Sequence, residues 1–142
     1  MTQMVSSVTE VAKLLSKHQY AIRGTASLVL QGYDMGVDDI DILCDKETAK
    51  FLKLSYSESK QFKSYFGKKI ISGIQVEFMG DWQIKNPKGE WSEVLRPTVN
   101  NIKIIEINGV SISITTVEFE LHCYALMGRW SVFHKIKKQL RP

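Results

Sequence analysis

Residues 37–44 read Val-Asp-Asp-Ile-Asp-Ile-Leu-Cys, and no other stretch narrows the fold as far. Successive side chains of a strand point to opposite faces of a sheet. Ile40 and Ile42 therefore face a core, while Asp39 and Asp41 face the other way. Flanking Val37 and Leu43 place the strand well inside the sheet. Two residues of strand hold the carboxylates ~6.6 Å apart along the chain. There they repel by about 2.5 kcal/mol at an effective dielectric of ~20. A fold seldom keeps such a pair together without a cation, and magnesium binds one or two carboxylates while leaving positions for water and phosphate oxygens. The alternative is a solvated strand edge or a turn, and Asp-x-Asp alone does not separate the two. Asp38 falls on the core side by strict alternation, so it belongs at the strand's mouth and carries no assigned chemistry.

Upstream, Tyr20-Ala21-Ile22 reads as a short strand ending at Arg23-Gly24, and Thr25 is placed to cap a helix through Ala26, Leu28, Val29 and Leu30. Gly24 lets a phosphate approach the backbone, and the free N–H groups of a helix start favour an anion. A plain turn with a threonine cap is the structural alternative. Nearer the start, Ser7-Val8-Thr9-Glu10 has the form of a capping box. Val8, Val11, Leu14 and Leu15 follow at helical spacing and predict a helix over residues 8–18.

Past the aspartates, Asp45 is set to cap a helix carrying Ala49, Phe51, Leu52 and Leu54, whereas residues 55–69 show no assignable period. Ser72-Gly73 and Asn108-Gly109 each separate two apolar runs and predict hairpins. Between them, residues 80–97 read as a long polar loop, whose Trp82 and Trp91 either stack a base or anchor the loop. Thr115-Thr116-Val117-Glu118 is a second capping box, opening a helix that stops at Gly128, and a basic helix over residues 131–140 closes the chain. The order predicts an α/β or α+β fold, a mixed β-sheet with flanking helices.

No repeat or linker divides the 142 residues, so one domain over 1–142 is expected, with its C-terminal helices beginning at about residue 116. A composition 44% apolar and 24% charged excludes a disordered or fibrous chain. The net charge of +4 permits an anionic partner without demanding one. No run approaches the ~20 apolar residues of a membrane span, and the first residues lack the pattern of a secretory signal. Cys44 and Cys123 read as buried thiols rather than a disulfide or metal pair, and the cytoplasm is the expected location. His18, His122 and His134 show no ligand spacing.

The joint pattern of strand, Gly-Thr, helix, loop and Asp-x-Asp strand resembles the nucleotidyltransferases of the DNA polymerase β superfamily. The likeness is to their small stand-alone members and to relatives of the antibiotic-modifying enzymes. Their signature is an apolar residue, Gly, then Gly or Ser, about 9 to 13 residues, and Asp-apolar-Asp-apolar. Here it reads Ile22-Arg23-Gly24-Thr25, 13 residues, then Asp39-Ile40-Asp41-Ile42. The family's third carboxylate lies between apolar residues on a later strand, a position that Glu77 fits between Val76 and Phe78. Two positions depart from the pattern: Thr25 replaces Gly or Ser, and Glu77 stands where many members carry Asp. The resemblance covers roughly residues 18–82.

It implies transfer of a nucleoside monophosphate from a nucleoside triphosphate to an acceptor hydroxyl, with release of pyrophosphate. It also implies that Asp39, Asp41 and Glu77 hold two magnesium ions, with manganese as a substitute, and that Gly24 and Thr25 hold the triphosphate. A chain this short leaves little room for an acceptor-binding domain, so the acceptor is expected from a partner protein or across a homodimer. The competing reading is a catalytically silent nucleotide-binding or interaction module of a two-component system. Asp81, after Gly80, is a lesser candidate in a loop.

Overall fold

The computed structural model describes residues 2–140. Both predicted hairpins form. Ser72 (φ 50°) and Gly73 (φ 79°), like Asn108 (φ 51°) and Gly109 (φ 79°), take left-handed backbone at both central positions, the geometry whose twist matches the flanking strands. The first turn joins β4 (Phe62–Ile71) to β5 (Ile74–Ile84), and the second joins β6 (Ile102–Ile107) to β7 (Val110–Thr115). Between the hairpins lie β1 (Tyr20–Arg23) and β2 (Ile40–Cys44), antiparallel to each other. β2 runs parallel to β5, and β1 parallel to β7. With β3 (Ser55–Glu58) on one edge, the seven-stranded mixed sheet has the order β3-β4-β5-β2-β1-β7-β6.

Strand alternation gives the sheet two different faces. Ile22, Ile40, Ile42, Val76 and Phe78 point to one, where they bury α1 (Thr2–Leu14) and Ala49 of α3 (Lys46–Phe51). Leu43, Met79, Trp82 and Ile84 point to the other, beneath α4 (Val117–Met127) and α5 (Trp130–Gln139). α2 (Gly24–Leu30) serves both, with Ala26 in the first core and Leu28 in the second. Each fully buried Ile, Leu or Phe contributes roughly 1.5–3 kcal/mol, so both cores matter to stability. Among the described residues no helix is long and apolar enough to cross a membrane.

Several boundaries differ from the sequence expectation. α1 starts at Thr2 because the buried stripe begins at Met4, a turn before the apparent capping box. Ser7 consequently lies inside the helix, buried, with its hydroxyl unpartnered. Arg23, not Thr25, takes the cap position of α2 and makes no side-chain cap bond. α4 is capped by Thr116, whose hydroxyl accepts from the Phe119 N–H at 3.2 Å. Thr115 instead ends β7, and the αL Gly128 (φ 71°) ends the helix as expected. Residues 55–69 form β3 and the first part of β4. β3 is exposed at every residue, so no hydrophobic period marked it.

The expected loop over 80–97 is largely strand and return. β5 continues to Ile84, and the chain folds back beside it through the bridges Trp82–Leu95 and Lys85–Trp91. Within β5 there is a bulge. Lys63 pairs with Gln83 and Tyr65 with Gly80, so Ser64 alone opposes Asp81 and Trp82. Asp81 takes the left-handed φ of 48° that the extra residue needs. An unbroken strand would send Trp82 to the face of Val76 and Phe78. The bulge turns Trp82 and Ile84 to the second face instead.

Candidate functional site

α4 and α5 leave part of the second face uncovered, and a cleft of about 500 Å³ opens there. Its floor comes from the central strands and its far wall from Tyr124, Met127, Arg129 and Val132. Arg23, Thr25, Asp39, Asp41 and Glu77 all line it. Phe62, Phe66, Met79 and Trp82 add an apolar surface to the same space.

Strand register explains why the charges meet. Arg23 on β1 is the cross-strand partner of Asp41 on β2, Asp41 that of Glu77 on β5, and Glu77 that of Lys68 on β4. Neighbouring strands lie ~4.8 Å apart, so two carboxylates stand side by side with a cation at each end. Asp39 sits in the bend just before β2, outside the regular pleat, and its Oδ2 accepts from Gln75 Nε2 at 3.4 Å.

Like charges directly across strands are unfavourable, and Glu77 registers the charge of Asp41. Burial pushes the Asp41 carboxyl above its usual range; Arg23 opposes the rise, and Glu120 and Asp39 add to it. Glu77 is pushed up as well, first by burial and then by the charge of Asp41, with Lys68 opposing and Asp39 adding.

Gly24 has a conformational reason to be glycine, at φ 69°. It also has a steric one, since a Cβ there would lie 3.1 Å from Asp41 Oδ2. The glycine thus makes room for the aspartate's carboxylate, a role its sequence context did not suggest. Thr25 reaches the cleft from the first turn of α2.

The sequence reading gave no role to Arg23 or Glu120. Arg23 is 5% exposed and Glu120 fully buried, and Arg23 Nη2 donates to Glu120 Oε1 at 2.9 Å. Arg23 Nη1 donates to Asp41 Oδ2 at the longer distance of 3.4 Å. The Thr115 hydroxyl donates to Glu120 Oε2 at 2.8 Å, and the Trp82 ring lies 4.6 Å from the guanidinium carbon. A partial signal was available: Arg23 is the one charge of Tyr-Ala-Ile-Arg, and Glu120 sits between the apolar Phe119 and Leu121.

Other residues singled out from the sequence fall elsewhere. Trp82 is buried and carries Arg23 on its ring, which makes it an anchor. Trp91, beneath the ammonium groups of Lys63 and Lys85, does not line the cleft. Asp81 pairs with Arg96 at 2.9 and 3.0 Å.

Three hard carboxylate oxygen donors suit magnesium or manganese by chemistry. As they stand, no three His, Cys, Asp or Glu side chains among the described residues close around a single ion. Magnesium needs only one or two carboxylates when phosphates supply the rest, so the donor set fits an ion that arrives with a nucleotide.

A mixed sheet with helices on both faces and a carboxylate row at its centre is the nucleotidyltransferase-like fold. The chain is similar to a Thermotoga maritima protein of solved structure described as a "putative nucleotidyltransferase", with 30% identity and a TM-score of 0.68 over 86% of this chain and 81% of the other. It belongs to the nucleotidyltransferase family. No family model and no curated protein matches it.

Proposed function

We propose that the protein transfers a nucleoside monophosphate from a magnesium-bound nucleoside triphosphate to an acceptor hydroxyl. The acceptor oxygen forms a bond to the α-phosphorus as the bond to the bridging oxygen breaks, and pyrophosphate leaves. The observation that carries the reading is the row itself: Asp41 and Glu77 in register on adjacent strands, with Asp39 beside them, on one cleft. The resemblance of the motifs to the DNA polymerase β superfamily supports the same reaction.

In this reading Asp39, Asp41 and Glu77 hold the metal, two magnesium ions or manganese in their place. Bound there, the metal would neutralise charge on the phosphate oxygens. The protein's own contribution is mostly positioning, which is the larger part of phosphoryl-transfer catalysis. The Thr25 hydroxyl donates to a phosphate oxygen at the start of α2, and Gly24 keeps the backbone beside Asp41 open. Glu77, its carboxyl held high by burial, takes the acceptor's proton on a side-chain oxygen. The acceptor is brought by a partner protein or by a second copy of the chain.

A second reading, a silent nucleotide-binding or interaction module, draws support from the Arg23 contact on Asp41 and from the open arrangement of the carboxylates. Titration calorimetry with each nucleoside triphosphate, beside an assay for pyrophosphate, separates the two. The native chain is expected to bind a nucleotide only with magnesium, and the Asp39→Ala, Asp41→Ala double variant to bind none while keeping its fold. Binding without pyrophosphate release, across candidate acceptors, favours the silent module. Nucleotide uptake that persists in the double variant overturns both readings of the row.

A further inference from the structure

We propose that Arg23 is an internal counter-cation of the carboxylate row: braced by Glu120, it positions Asp41 and sets how tightly the row takes a divalent ion. The inference rests on the metal–nucleotide reading of the cleft and adds a role for two residues to which that reading gives none.

Stability does not explain a guanidinium in this place. Replacing a buried ion pair by apolar groups of similar volume is often neutral or favourable. Arg23 moreover keeps its Nε buried without a partner, a deficit that a methionine would not have. What the arginine supplies is a fixed positive charge at the end of β1, next in register to Asp41.

The fixing is thorough. Glu120 accepts from Arg23 Nη2 at 2.9 Å and from the Thr115 hydroxyl at 2.8 Å, so its carboxylate is held from two sides. The Trp82 ring supports the guanidinium at 4.6 Å. The contact to Asp41 is the looser one, at 3.4 Å. The guanidinium is thus committed to Glu120 and leans on Asp41. Asp41 keeps its direction into the cleft and much of its charge. Were Glu120 neutral, the whole charge of Arg23 would fall on Asp41 and compete with any metal ion there.

Two variants should therefore move divalent binding in opposite directions. The probe is Mn²⁺, with free ion counted by electron paramagnetic resonance in the presence and absence of ATP. Glu120→Gln is expected to weaken Mn²⁺ binding about tenfold, and Arg23→Gln combined with Glu120→Gln to tighten it several-fold beyond the native chain. Thermal melts followed by circular dichroism check that both variants fold. If Glu120→Gln does not, the double variant decides alone, since it must bind more tightly than the native protein. A pair with a purely structural role would weaken binding in both variants or move neither, and either result overturns the proposal. Native protein that takes up no Mn²⁺, with or without ATP, overturns the metal reading of the cleft as well. Native binding with unmoved variants overturns only the role of Arg23.

Discussion

Glu77 carries the clearest consequence for stability at a single position. Its carboxyl is held above the ordinary value in the folded protein, so the fold keeps a proton there at a pH where the unfolded chain has already lost it. The favourable contribution of protonated Glu77 is present in acid and is lost as pH rises through the folded value. At neutral pH the ionised group opposes the fold. Glu77→Gln is therefore expected to raise Tm at pH 7, by roughly 3 °C for each kcal/mol relieved, with the gain shrinking towards pH 4. Melting curves at both pH values test this, and a variant melting below the native chain at pH 7 would refute it. Alternation pointed to Asp41 on β2, whereas Asp39 lies in the bend outside the pleat that alternation assumes, and Glu77 came into view through the family resemblance. The pairing of Arg23 with Glu120 stayed hidden because it joins residues 97 apart, although each charge stands beside apolar neighbours in the sequence.

Between residues and molecule, the bulge in β5 decides what the cleft contains. Asp81 holds left-handed backbone, which for a branched side chain is a genuine outlier. Asp81→Val is expected to lose about 1–3 kcal/mol through backbone strain, and little more through its pairing with half-exposed Arg96. The check is a thermal melt together with near-ultraviolet circular dichroism, in which Trp82 should report its changed setting. A native melt and spectrum would mean that the bulge does not fix the ring. Turn chemistry explains why some elements could be read and others not. Asn108-Gly109 and Ser72-Gly73 demand a backbone that few other residues accept, and both hairpins follow. β3 has no buried face to leave a period, and the start of α1 is set by the burial of Met4, which overrides the Ser7-Glu10 pattern. Gly80 at the edge of the bulge, with Pro87, Gly89 and Pro97 beyond it, made the polar residues 80–97 read as loop although the strand runs on to Ile84.

The sheet separates two cores, and each contains one thiol: Cys44 lies in the first and Cys123 in the second. Burial pushes Cys44 up to about 12 and raises Cys123 well above its ordinary value. Both are expected to react with Ellman's reagent at pH 8 far more slowly than a free thiol, because so little thiolate exists. Because both cores share the same strands, single-cysteine variants should become reactive at the same denaturant concentration, whereas two separate midpoints would show cores that open independently. The sheet also sets an order on the ribosome. β1 needs β7 as a neighbour, joined at Ile22 and Ile114, and Arg23 needs Glu120. Synthesis delivers the N-terminal part first, so Arg23, Asp41 and Glu77 emerge and can align while the brace for the guanidinium is still untranslated. A nascent chain that stopped short of α4 would carry the acidic row with its arginine unanchored, and only the emergence of α4 would complete it.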